Sequence, residues 1–270
     1  MRAFFRAALD ALASVLFPGP CRICGDVLTT ARLLPICSGC LTSLAPLRGP
    51  YCEHCGRPFG SDLADSSETH LCSACRKGVY GFDRARSYGA YNDEMARAIS
   101  LLKYEKVLSL GRWFACRLEE MVRGEPEIFA ADVVVPVPLH PARRRERGYN
   151  QAELIARPLA KKLKLPLRAY LLVRTKPRPP RLLLSRRERW ESVRGAYEMR
   201  RGAKVDNLRV LLIDDVCTTG ATLDSCARAL KRAGAKCVIG LTVARVASGS
   251  VPLPASMAKR KAIPSPASSI

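Results

Sequence analysis

Four C-x-x-C pairs crowd into the stretch from Cys21 to Cys75, and no other feature limits so tightly what this chain can fold into. Cys21-Arg22-Ile23-Cys24-Gly25 recurs as Cys52-Glu53-His54-Cys55-Gly56, and Cys37-Ser38-Gly39-Cys40 recurs as Cys72-Ser73-Ala74-Cys75. The segment is a duplicated small module. One C-x-x-C turn delivers two thiolates to an ion, and a second turn across a short hairpin completes a zinc tetrahedron. Cys21, Cys24, Cys37 and Cys40 form one such set with 12 residues between its pairs; Cys52, Cys55, Cys72 and Cys75 form the other with 16. The stretch is rich in Gly, Pro and Ser and too poor in apolar runs to build a core without metal. Four thiolates leave no coordination position for a substrate, so both zinc ions are expected to be structural.

Alternatives around these cysteines are fewer. A redox motif needs one C-x-x-C at a strand–helix junction, not four in tandem. Spacing alone does not say which pairs share an ion, so interleaved pairing stays open. Gly25 and Gly56 stand where a positive φ tightens the knuckle. With eight thiols at hand, His54 and His70 are read as surface residues. Cys116, Cys217, Cys226 and Cys237 have no paired spacing and are read as small buried apolar residues.

Residues 1–17 carry a short apolar stretch interrupted by Arg6 and Asp10, with a poor cleavage pattern for a signal peptide. Phe5, Leu9, Leu12 and Leu16 fall on one helical face. This predicts an amphipathic helix that docks on the protein itself, a partner- or membrane-facing helix being the alternative. No run of about eighteen uncharged apolar residues exists, so no transmembrane helix is expected. Twelve cysteines used as metal ligands and small core residues, rather than as disulfides, fit a cytoplasmic protein.

Beyond Tyr80 the pattern changes. Strands are predicted at Arg86–Tyr91, Val133–Val137, Leu171–Val173, Val210–Ile213 and Val238–Val243. Helices are predicted at Asp93–Tyr104, Leu108–Arg123, Gln151–Leu163 and Ala221–Ala233. Such alternation reads as an α/β domain with a mainly parallel sheet. The chain divides into a helix at 1–17, a zinc-binding region at 18–80, an α/β domain at 81–247, and a Ser-, Pro- and Lys-rich tail at 248–270 expected to be disordered.

Charge is unevenly spread. The net charge of +21 is concentrated between His140 and Lys204, where twenty basic residues face five acidic ones. A basic segment of this kind suits an anionic partner, polyphosphate or nucleic acid.

The most particular segment is Val210-Leu211-Leu212-Ile213-Asp214-Asp215-Val216-Cys217-Thr218-Thr219-Gly220-Ala221-Thr222. An apolar strand ends in two acids, and a tight loop of hydroxyl residues then opens a helix. Amides of such a loop and of the helix N-terminus point at a dianion, and the helix dipole favours it. Thr218, Thr219 and Thr222 add hydroxyl donors, and Gly220 lets the backbone approach closely. The two carboxylates would repel a phosphate in direct contact. They suit sugar hydroxyls one ring away, with Mg²⁺ helping.

This segment resembles the PRPP motif of type I phosphoribosyltransferases, PRPP being phosphoribosyl pyrophosphate. With the cysteine modules it resembles the ComF/GntX family of competence-associated proteins. The likeness runs from about Pro18 to Arg245 and includes Tyr91 through Lys103-Tyr104, Pro136-Val137-Pro138-Leu139-His140, Arg147-Gly148-Tyr149-Asn150-Gln151, Arg189 and Gly195-Ala196-Tyr197. The resemblance implies a type I phosphoribosyltransferase-like parallel sheet with flanking helices, preceded by a small cysteine-rich double zinc ribbon. It implies that Asp214 and Asp215 hold the vicinal ribose hydroxyls and that Thr218, Thr219, Gly220, Ala221 and Thr222 hold the sugar's monophosphate. It also implies that the loop after Val137, with Arg143, Arg144, Arg145, Arg147 and Gly148, holds pyrophosphate, for which guanidinium is well matched. Thr175 to Val193 corresponds to the hood that closes over such sites. Arg178, Arg181 and Ser192 stand where the family commonly has Thr, Gln and Asn, a departure that bears on base recognition and catalysis but not on the ribose phosphate.

Three functions fit. The first is a Mg²⁺-dependent phosphoribosyltransferase acting on a nitrogen acceptor, with Asp214, Asp215 and Arg147 as its working groups. The second is a DNA-uptake accessory protein that binds single-stranded DNA and a competence helicase. The third is a PRPP sensor. Between His140 and Lys204 only Tyr149, Tyr170, Trp190 and Tyr197 could stack on bases, which is sparse for a single-strand channel.

Overall fold

The computed structural model describes residues 19–28, 34–59, 70–177 and 186–246. The expected N-terminal helix, the C-terminal tail, Arg178 and Arg181 lie outside them.

Four strands, β1 (Arg84–Ala90), β2 (Val133–Pro136), β5 (Arg209–Cys217) and β6 (Cys237–Arg245), form one sheet in the order β1-β6-β5-β2. All its pairs are parallel. β5 and β6 occupy the centre, and their apolar side chains are buried on both faces, as parallel strands under helices require. Pro136 has no N–H to give, so the ladder continues one residue later, where Val137 N donates to Ile213 O at 2.8 Å. β3 (Leu172–Arg174) was expected as a strand, but it pairs antiparallel with an unexpected β4 (Tyr197–Met199) and forms a separate hairpin.

Short helices α1 (Ser38–Ser43) and α2 (Ser73–Arg76) carry the later cysteines of the two modules. The longer helices are α3 (Asp93–Tyr104), α4 (Ser109–Gly124), α6 (Gln151–Leu163) and α8 (Ala221–Arg232), close to their predicted bounds. Asn92 caps α3 by accepting from Met95 N at 3.0 Å, and Asp93 and Glu94 complement its dipole. Asn150 caps α6 through Ala152 N at 3.1 Å and donates to Val137 O at 3.0 Å, which fixes that helix to the sheet.

Alternation along the central strands sorts the core into two layers. Leu211, Ile213, Ile239 and Leu241 face α3, α4 and α6, whereas Val210, Leu212 and Val238 face α8 and the β3–β4 hairpin. The cysteine modules divide the same way. Cys21 and Cys40 join the first layer; Cys52, Cys55 and Cys72 join the second.

Three expectations change. The arginine-rich loop after β2 is a helix, α5 (Pro141–Arg147), with Pro141 in its first turn and Gly148 ending it at φ +83°. Part of the hood, Arg186–Val193, is helix α7. The acids do not follow β5; the strand continues through them to Cys217 because Asp214 and Val216 keep their parallel pairing with β6.

Candidate ribose phosphate site and cysteine centres

β5 leads into the loop Thr218-Thr219-Gly220, and Gly220 caps α8 at φ +83°. A Cβ at Gly220 would sit 2.8 Å from the Tyr80 ring, so only glycine fits both the backbone turn and the space. Tyr80 OH donates to Thr219 O at 3.0 Å, and burial pushes its phenol up to about 12, so it stays a donor. Ala221 N donates to Thr219 Oγ1 at 3.3 Å. Thr219, Gly220 and Ala221 are buried, while Thr218 and Thr222 are half-buried.

Asp214 and Asp215 point to opposite sides of β5, and both are buried. Asp214 Oδ1 accepts from Asp215 N at 2.8 Å. Asp215 Oδ2 lies 2.8 Å from Lys103 Nζ, and Lys103 is itself buried. Lys103 was absent from the residues assigned to the site from sequence. A signal for it existed: Met95, Ile99 and Lys103 repeat every fourth residue, which puts a lone amine on the buried stripe of α3.

The next residue of α3 reaches the basic element. Arg147 lies over the Tyr104 ring at 5.0 Å and donates to Gln151 Oε1. Tyr149 OH donates to Leu102 O at 2.5 Å. The last turn of α3 therefore touches both the strand carrying the acids and the helix carrying the arginines. Arg143 is half-exposed on α5, and Gly148 is exposed at its end. Arg144 is taken up by Glu153 at 3.3 Å and by the Tyr170 ring at 5.4 Å. The segments that follow β2 and β5 leave the same edge of the sheet, the carboxyl end of parallel strands where α/β proteins place ligands. A cleft of about 600 Å³ between α7 and α8, lined among others by Trp190, Arg194, Ser225 and Arg228, shares only Ala221 with the predicted phosphate residues.

The cysteines form two closed sets, Cys21-Cys24-Cys37-Cys40 and Cys52-Cys55-Cys72-Cys75, with every sulfur in a set within 4.8 Å of the others. Pairing is sequential, not interleaved. Cys24–Cys37 and Cys55–Cys72 sulfurs are 3.7 Å apart. The edge of a zinc–thiolate tetrahedron is about 3.8 Å for bonds of roughly 2.3 Å, so both sets fit zinc. Cys37 N donates to Cys21 Sγ and Cys72 N to Cys52 Sγ, each at 3.3 Å, and such donors stabilise thiolate ligands. Gly25 and Gly56 have the expected positive φ of 89° and 65°.

His54 is not the surface residue expected. It stacks on Phe82 at 5.4 Å between centroids, and its Nδ1 is 3.5 Å from Cys75 Sγ. His70, half-buried, meets Phe59 edge-on. Cys217 and Cys226 are buried as anticipated, but Cys116 and Cys237 are only partly so.

Comparison with known proteins finds two domains along the chain. A phosphoribosyl transferase domain matches residues 150–260 and a double zinc ribbon domain matches residues 12–76. The chain is 29% identical to competence protein F of Haemophilus influenzae over 203 residues, 74% of this chain and 85% of that protein. It is 27% identical to the DNA utilization protein YhgH of Escherichia coli over 225 residues, covering 82% of this chain and 94% of that one. It is 28% identical to competence protein ComFC of Bacillus subtilis over 223 residues, with 74% and 79% covered.

Proposed function

We propose, from the match of a double zinc ribbon followed by a phosphoribosyl transferase domain and from the competence and DNA utilization relatives, that this chain is a ComF-type protein that binds PRPP with Mg²⁺ in the cytoplasm and serves DNA utilization. The supporting observation is the shared sheet edge, where the acid-bearing end of β5 and helix α5 after β2 are both contacted by the last turn of α3.

In this reading the loop amides and the Thr218, Thr219 and Thr222 hydroxyls take the sugar's monophosphate, with Gly220 and Ala221 at the helix start. Asp214 and Asp215 take the ribose hydroxyls. Lys103 fixes one oxygen of Asp215, so the carboxylate is held in place before a ligand arrives. Arg143, Arg147 and Gly148 take the pyrophosphate. Mg²⁺ entering with PRPP beside Asp214 and Asp215 would supply charge neutralisation for the pyrophosphate. Departure of pyrophosphate toward the arginines gives phosphoribosyl transfer if a nitrogen acceptor is present.

The zinc modules serve as scaffold and as the docking side for a competence helicase or other DNA-processing partner. The relatives' names and the basic segment from His140 to Lys204 favour single-stranded DNA as the polymer handled. Thermal unfolding with PRPP and Mg²⁺ tests the ligand reading. A raised midpoint that disappears in Asp214→Ala/Asp215→Ala supports it, and an unchanged wild-type midpoint removes it.

A further inference from the structure

Among the described residues Arg245 is the largest fully buried side chain, at 1% exposure, and it has no carboxylate within ion-pair distance. It ends β6 directly beside Cys217, which ends β5. Its Nη1 donates to Cys217 Sγ at 2.5 Å, its Nη2 lies 3.7 Å from Cys55 Sγ, and its Nε is buried without a partner. Burial pushes the Cys217 thiol up. A buried guanidinium is costly unless an anion compensates it. The second cysteine set supplies one: four thiolates on a divalent ion leave the centre doubly negative, and Cys55 is the ligand facing Arg245.

A second contact runs in parallel. His54, inside the Cys52–Cys55 turn, stacks with Phe82 and with Tyr80 at 6.2 Å; Tyr80 in turn holds Thr219 O and packs on Gly220. Both contacts start at the second cysteine set and end in the loop Cys217–Gly220. The first set packs on the opposite face of the sheet.

We propose that Arg245 is the counter-ion of the second zinc centre and a positioning residue for the phosphate loop, so that metal in this one centre sets the loop's geometry for its ligand. The ligand part of this inference rests on the PRPP reading above. The link between metal and loop does not.

The full-length zinc-loaded protein tests it with three readouts: zinc release to a colorimetric chelator, hydrogen exchange of residues 217–222, and the PRPP-induced rise in melting temperature. In Arg245→Met, one of the two ions should leave roughly tenfold to a hundredfold faster. Loop amides should exchange faster, and the PRPP shift should vanish. Arg245→Lys keeps the charge without the fork and should restore zinc retention better than loop order. Leu118→Ala, a core truncation in α4, controls for lost stability and should leave zinc release and loop exchange at wild-type rates. Wild-type zinc release and loop exchange in Arg245→Met overturn the inference, as does equal loosening in Leu118→Ala. No PRPP shift in the wild type, with Arg245→Met still losing zinc and loop order, removes the PRPP reading alone.

Discussion

Lys103 Nζ stands 2.8 Å from Asp215 Oδ2, and each of these side chains is more than nine-tenths buried. The pair ties β5 to α3 at the point where sugar hydroxyls are expected, so it joins stability to ligand geometry. Removing one partner of a buried pair leaves an uncompensated charge and costs about 3–5 kcal/mol. Lys103→Met should therefore destabilise the protein by that amount in urea denaturation. Lys103→Met/Asp215→Leu should recover most of the loss yet bind no PRPP. A single variant as stable as wild type would show that the pair is not formed in solution.

Gly220 faces Tyr80 across a gap too small for a Cβ and has φ +83°. Gly220→Ala meets both a left-handed backbone, costing roughly 1–2 kcal/mol, and the ring contact. Tyr80→Phe keeps the ring and removes the hydroxyl's bond to Thr219 O, about 1 kcal/mol. Thermal unfolding should rank Gly220→Ala as the more damaging change, and Gly220→Ala should also abolish the PRPP shift. The reverse order would mean that the loop is held chiefly by the tyrosine hydroxyl.

Much of this was legible in sequence where a local rule decides the outcome. C-x-x-C spacing names the eight candidate ligands, though not which pairs share an ion, and the apolar run before Asp214 with a Thr-Thr-Gly loop fixes a strand–loop–helix. Alternation and helical period located the main elements within a few residues. The failures share one cause, which is tertiary contact. Arg143 to Arg147 read as a loop because charge hid the Pro141 start and Gly148 stop of a short helix. The β3–β4 hairpin needed pairing between Leu172 and Met199, which no local pattern announces. Lys103, Tyr80 and Arg245 reach Asp215, Thr219 and Cys217 from 112, 139 and 28 residues away in the chain. His54 read as a surface residue because its neighbours, Tyr80 and Phe82, belong to the segment entering β1.

Acid should loosen the first cysteine module from the sheet side. Burial alone would push the Glu105 carboxyl up, but hydrogen bonds from Arg22 and Arg97 override it and hold the group below the usual carboxylate range. Arg22 lies in the first C-x-x-C turn, and its Nη2 is 2.6 Å from Glu105 Oε2. A carboxyl depressed on folding contributes stability that is present above its unfolded value and lost as pH falls through its folded one. Glu105→Gln should thus lower stability near neutrality and flatten the pH dependence at the acid end. The check is urea denaturation across pH for both proteins, and parallel curves would remove Glu105 from the acid response.

Single-stranded DNA and PRPP make different demands on Arg143 and Arg147, and salt separates them. A polymer releases counterions for every phosphate neutralised, so its affinity falls with a log–log slope of roughly 0.7 per contact. Arg143→Glu/Arg147→Glu should reduce that slope by about 1.4 if both arginines meet the strand. Arg147 is already oriented by the Tyr104 ring and Gln151, so Arg147→Glu alone should also weaken PRPP, whereas Arg143→Glu alone should act mainly on DNA. Fluorescence anisotropy with a labelled oligonucleotide, repeated over a salt series with and without PRPP, distinguishes the outcomes. Competition by PRPP places both ligands at one sheet edge. Additive binding with an unchanged slope assigns the strand to another part of the basic segment.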